Sequence, residues 1–182
     1  MTKRALVIVD LQNDYFPNGK FELTNIVPAA ENAARLLQAA RAKGEFVVHV
    51  QHVFASPEAP FFVKGTPGVE INPAVQNLEG EPVVVKHRPN SFLETDLNAQ
   101  LIAKGITDVV ICGAMSHMCI DATARAAADL GYTVTVVHDA IATRDLEFGG
   151  VHVPAAQVQA AFLAALASSY AAIVATDEHL QR

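Results

Sequence analysis

Six short apolar runs, at residues 5–9, 46–50, 83–85, 108–112, 133–137 and 171–175, constrain this chain more than any other feature. Most are apolar at successive positions instead of alternating with polar residues. Strands of that kind are covered on both faces, as in a parallel sheet. Helical stretches lie between several of them. Residues 27–43 place Ala33, Leu36, Leu37 and Ala40 on one face, with Pro28 in the first turn and Gly44 just past the end. Residues 96–104, 118–130 and 154–169 read as further helices, the last with Ala155, Val158, Phe162, Ala165 and Leu166 on one face. The alternation predicts an α/β fold: a three-layer α/β/α sandwich around a six-stranded, mostly parallel, Rossmann-like sheet. Half of the 182 residues are apolar, enough for one sizeable core, so residues 1–182 read as a single domain. Two segments read as irregular: a long connection at 51–82, rich in Pro and Phe, and residues 138–153. A connection of that length predicts a pocket wall or a subunit contact.

Net charge is −6, and no cluster of Lys and Arg interleaved with aromatics is present, which argues against nucleic acid as a partner. No apolar run is long enough to span a membrane, and the N-terminus enters a strand without a signal-type segment. The expectation is a cytoplasmic protein with no membrane partner. The only cysteines are Cys112 and Cys119, too few for a disulfide framework or a closed zinc site.

Ligands of such sheets bind beyond the carboxyl ends of the strands. Asp10 ends the first strand, Lys86 ends the third, and Cys119 follows the fourth at a strand-to-helix junction. An acid, a base and a thiol therefore converge on one edge. Amide N–H groups collect at such a junction and would hold an oxyanion, and the helix dipole predicts a thiol that ionises more easily than a free one. Each residue alone has a plainer reading: a turn former, a solvated charge, a small buried side chain. Their shared placement favours catalysis by a nucleophilic thiol.

The segments Asp10-Leu11-Gln12-Asn13-Asp14-Tyr15-Phe16, Val85-Lys86, Asn90-Ser91-Phe92 and Cys112-Gly113-Ala114-Met115-Ser116-His117-Met118-Cys119-Ile120 resemble the isochorismatase-like cysteine hydrolases, from residue 5 to about 178. That family includes nicotinamidases, carbamoyl-amide hydrolases and ureidoacrylate hydrolases. The resemblance implies a catalytic triad of Asp10, Lys86 and Cys119, and a cis peptide at Ala114–Met115. It also implies an oxyanion hole from the Met115 and Cys119 N–H groups. Ala114 joins Gln12, Phe16, Phe54 and Phe92 as the expected substrate pocket.

The implied function is hydrolysis of a C–N bond in a small amide or ureido compound through a thioester, without a cofactor. The alternatives are isochorismatase-type vinyl-ether hydrolysis and a small-molecule-binding member with weak catalysis. Vinyl-ether hydrolases of the family lack the thiol, and Cys119 argues against that chemistry here. Nicotinamidases carry an Asp-x-His metal pattern after the second strand. Here the region reads His49-Val50-Gln51-His52, with no Asp, and His49 and His52 read as hydrogen-bonded polar residues, so no metal is expected. His117 reads as a surface residue, and Arg144, Asp145 and Glu147 as solvated charges. A homo-oligomer is expected, from the family and from the apolar area that Phe54 to Phe62 would otherwise expose.

Overall fold

The structure is a computed structural model, and it describes residues 3–181. Its centre is a six-stranded parallel sheet in the order β3-β2-β1-β4-β5-β8. The strands are β1 (Arg4–Val9), β2 (Phe46–His52), β3 (Val83–Lys86), β4 (Asp108–Ala114), β5 (Thr133–Ala142) and β8 (Ala172–Val174). Side chains of a strand alternate between faces, and β1 shows the consequence. Leu6 and Ile8 enter one core with α1 (Ile26–Lys43), while Ala5, Val7 and Val9 enter a second core. The second core is closed by α2 (Leu97–Ala103), α3 (Asp121–Asp129) and α4 (Ala155–Ser169). The short α5 (Thr176–Leu180) returns to the α1 side, where Leu180 packs on the first core. This two-faced burial is why the strands read as continuous apolar runs.

The boundary of α1 agrees with its sequence signals. Gly44 caps it in the left-handed conformation at φ 65°, where a side chain would be strained.

Three expectations are corrected. Residues 138–153 are not irregular. β5 runs on to Ala142, looping out between the pairs Val136–Ile111 and Ile141–Gly113. An antiparallel hairpin follows, β6 (Leu146–Phe148) with β7 (Val151–Val153), turned by Gly149 and Gly150 at positive φ. Ala165 of α4 is exposed, the helix being seated through Val158, Leu163 and Leu166. Phe61 and Phe62 are not a sticky surface. Both are buried, packed with Tyr15, Phe21 and Phe54, so the apolar-loop argument for self-association does not hold.

The connection between β2 and β3 is seated by the first loop of the chain. Gln12 Nε2 donates to Val69 O at 2.7 Å, Asn13 Nδ2 to Pro67 O at 3.0 Å, and the Phe62 N–H to Asp14 Oδ2 at 2.7 Å. Asn72 N–H donates to Leu11 O, and Asn72 Nδ2 to Asn13 Oδ1. Gly68 lies so close to the Asp14 carboxyl that a Cβ there would overlap it. Among the described residues no helix is long and apolar enough to cross a membrane.

Candidate active site

Three parallel strand ends deliver the three residues. Asp10 follows β1 directly, with φ 52°, a left-handed conformation that Asp tolerates better than most residues. Lys86 is the last residue of β3, in register with His52 at the end of β2. Cys119 lies in a single π-helical turn, Ser116–Ile120, between β4 and α3, a wider turn that recurs at functional sites. The helix begins at Asp121 and not at 118, so the cysteine precedes it.

Lys86 crosses the end of β2 to reach the other two. Its Nζ lies 2.8 Å from Asp10 Oδ2 and 3.1 Å from Cys119 Sγ. It also lies 3.1 Å from His52 Nδ1 and donates to Arg88 O at 3.1 Å. Asp10 and Lys86 are fully buried, and Cys119 is 4% exposed. Ligand atoms of Asp10, His52 and Cys119 lie within 4.8 Å of one another, a spacing that would suit a metal ion. The Lys86 ammonium already contacts all three, and so supplies the positive charge at that point.

Burial raises Asp10 above the ordinary carboxylate value, and Lys86 only partly offsets this. Burial also works against the charge on Lys86, but Asp10 and Cys119 outweigh it and hold the ammonium protonated. The thiol departs from expectation. Burial and the Asp10 charge raise Cys119, and Lys86 does not compensate fully. The helix-dipole argument assumed an exposed helix start, whereas the sulfur sits in a closed site beside a carboxylate. Both effects disfavour the thiolate, so ionisation of Cys119 calls for a base within the site. Cys112 is buried, unpaired and pushed up to about 12 by burial alone.

The structure redistributes the expected pocket residues. Gln12 is spent on the backbone: it donates to His52 O at 2.8 Å and to Val69 O, and its Oε1 accepts from the His52 N–H at 2.8 Å. Both of its N–H groups and one acceptor site of its oxygen lie in this clamp, which fixes the backbone of His52. Phe54 packs on the His52 ring at 4.5 Å. Phe16 is half-buried against the α1-side core. Phe92 stacks with Tyr132 at 6.2 Å, among the side chains that α2 and α3 bring to the sheet. Ala114 is buried, and the Ala114–Met115 peptide bond is cis.

His117 is half-buried, its Nδ1 2.6 Å from Thr143 Oγ1 and its ring edge-on to Phe162, and so is not a plain surface residue. Arg144, Asp145 and Glu147 are exposed, as expected of solvated charges, with Arg144 over the Phe21 ring at 4.5 Å and Asp145 Oδ1 accepting from the Ala155 N–H at the start of α4. His49 bonds Glu81 on the far side of β2.

Two residues at the site were missed. His52 is a hydrogen-bonded polar residue at a strand end, as read from the sequence, but its place beside Lys86 is not legible there. The register of β2 on β3 pairs it with Lys86, and a short strand gives no sign of register. Tyr15 is buried in the ring cluster with Phe21, Phe61 and Phe62. It feels both Asp10 and Cys119, which with burial raise its hydroxyl well above the ordinary value. Its place five residues after Asp10, in a short turn (Asn13–Tyr15), is the signal that could have found it.

The family model described as the isochorismatase domain matches residues 4–178. The isochorismatase family protein YddQ of Bacillus subtilis is 51% identical over 97% of this chain and 98% of its own length. The maleamate amidohydrolase of Pseudomonas putida is 31% identical over 78% of this chain and 73% of its own. A solved isochorismatase hydrolase structure from Oleispira antarctica superposes with a TM-score of 0.95 at 50% identity, covering 100% of this chain and 97% of that one. With the fold, these matches make the chain a member of the isochorismatase-like hydrolase family.

Proposed function

We propose that the protein is a cysteine amidohydrolase that cleaves the C–N bond of a small amide or ureido compound with Asp10, Lys86 and Cys119. The observation that carries this reading is the Lys86 ammonium between the Asp10 carboxylate and the Cys119 sulfur, in a closed site. Asp10 takes the thiol proton as Cys119 Sγ attacks the carbonyl carbon. Its raised pKa suits a group that must first accept a proton and then release it. Lys86 stabilises the thiolate while it exists. Backbone N–H groups of Met115 and Cys119 receive the oxyanion. Asp10 then protonates the departing nitrogen, the C–N bond breaks, and a thioester remains. Water attacks the thioester, Asp10 takes its proton, and the acid leaves as the thiol is restored.

The amidohydrolase among the relatives supports the class of bond, and the thiol argues against the vinyl-ether alternative. The raised pKa of Cys119 also fits attack that is coupled to proton transfer to Asp10. A homo-oligomer and a cytoplasmic location remain part of this reading on the family resemblance and the sequence, with sedimentation velocity and cell fractionation as their tests.

The direct test is a screen of primary amides and ureido acids with the native protein and with Cys119→Ala. Turnover of at least one compound is expected, falling by at least about 10³-fold in the variant while its circular dichroism is unchanged. A variant that keeps its activity rules out the thioester route.

A further inference from the structure

We propose that Asp10, His52 and Cys119 form a binding site for a thiophilic divalent cation of the zinc type, and that such an ion switches the protein off by taking the place of the Lys86 ammonium. The ion is an inhibitor and not a cofactor. Its binding goes beyond the amidohydrolase reading and does not rest on it.

Three kinds of donor meet at this point. A carboxylate oxygen of Asp10, a ring nitrogen of His52 and Cys119 Sγ all lie within 4.8 Å of one another. Oxygen, nitrogen and sulfur from three side chains, with a fourth position left over, are the ligand set of an open zinc site. Donors around a tetrahedral zinc stand about 3.3–3.8 Å apart, so shifts on the order of 1 Å close the shell.

A cation already marks the centre. Lys86 Nζ lies 2.8 Å from Asp10 Oδ2, 3.1 Å from His52 Nδ1 and 3.1 Å from Cys119 Sγ. An ammonium has three donors and no acceptor, so His52 Nδ1 turns a bare lone pair to the same point. The imidazole is also held in place. Gln12 bonds both the N–H and the C=O of His52, and Phe54 packs on the ring, as outer contacts orient the ligands of metal sites. Asp10 Oδ1 is buried without a hydrogen-bond partner, which leaves a carboxylate oxygen uncommitted.

Charge decides which ions compete. A dication brings two positive charges where the ammonium brings one. Binding converts the Cys119 thiol to a thiolate, and its proton leaves to solvent. Lys86 then faces a like charge, and must swing aside or lose a proton of its own. Only an ion that bonds sulfur strongly offsets that. Zn²⁺ and Co²⁺ do so, whereas Mg²⁺ and Ca²⁺ take oxygen ligands. A bound ion occupies the sulfur and the carboxylate together, so neither a nucleophile nor a base is left for catalysis.

The test adds Co²⁺, a spectroscopic stand-in for Zn²⁺, to the native protein and reads the near-ultraviolet charge-transfer band of a cobalt-bound thiolate. The band is expected to appear, to be abolished by Zn²⁺ or EDTA, and to withstand excess Mg²⁺. Cys119→Ser is expected to remove it, and Cys112→Ser to keep it. His52→Ala is expected to weaken binding at least about tenfold, since losing even an outer-shell partner costs that much. Lys86→Met, or Lys86→Gln where that variant does not fold, removes the competing charge and is expected to tighten binding at least about tenfold.

A missing band, a band that persists in Cys119→Ser, binding that ignores His52, or binding that Lys86→Met and Lys86→Gln fail to tighten would each overturn the proposal. No substrate enters this test, so those outcomes leave the amidohydrolase reading to its own screen. With a substrate from that screen, Zn²⁺ is expected to stop turnover and EDTA to restore it. Turnover that continues with the site saturated would overturn the switch.

Discussion

Lys86 illustrates how one side chain in this site meets several demands. It is buried beside a carboxylate, so removing either partner leaves the other uncompensated. Lys86→Met is expected to destabilise the protein by about 3–5 kcal/mol in urea unfolding, the usual effect of breaking a buried pair. Asp10→Asn with Lys86→Met should recover most of that stability and none of the activity, because the charge problem disappears while the base and the cation are both gone. Additive losses in this cycle would show that the two residues do not act as a pair. All three proposed catalytic residues were legible in the sequence because each ends or follows a strand on one edge of the sheet, where α/β proteins gather their ligands. The surroundings of the thiol were not legible. They depend on how far Cys119 is buried and how near Asp10 comes, and both are long-range facts.

Between β4 and α3, the backbone is set by a close approach and not by helix propensity. Gly113 has φ 124°, and a Cβ on it would lie 1.9 Å from Val9 O on the neighbouring strand. Gly113→Ala is expected to cost at least about 2 kcal/mol in thermal or urea unfolding and to impair turnover, since the displaced segment carries Cys119. An alanine variant of unchanged stability would contradict this packing. The β2–β3 connection makes the complementary case. Its length suggested a pocket wall or a subunit contact; its backbone is fastened to residues 11–14, and Phe61 and Phe62 fill the core beneath it. Asp14→Ala leaves the buried Phe62 N–H without its acceptor, and should cost about 1–3 kcal/mol. Faster proteolysis within residues 53–66 is the local readout expected of that variant.

The molecule as a whole is fastened across its layers by ion pairs away from the site, and the one around Glu81 responds to pH. Bidentate bonds from Arg41 of α1, with the Leu78 N–H and His49 adding to them, hold Glu81 down to about 2 from its ordinary 4.5. A carboxylate lowered on folding stabilises the fold above its unfolded pKa, and that contribution fades as pH falls toward the folded value. The stability gap between the native protein and Glu81→Gln should therefore be full above about pH 4.5 and close toward pH 2. A gap that stays constant with pH would mean that the charge on Glu81 is not what matters. Apolar area still reaches the surface, at Phe148 and Val151 on the β6–β7 hairpin and at Leu78 in the β2–β3 connection among others.

The sequence by itself determined the sheet, the helices and the edge on which the chemistry lies. Apolar runs buried on both faces and caps such as Gly44 are local signals, and local signals survive without a structure. The motif residues, read together, identified the family. Only the tertiary structure decided what surrounds each of them. It paired His52 with Lys86 through strand register, set Gln12 in a clamp on the backbone of His52 and Val69, buried Phe61 and Phe62, and closed Cys119 in beside Lys86. Each of these depends on residues tens of positions apart meeting in a dry space, where burial and neighbouring charge, and not residue type, set what a side chain does.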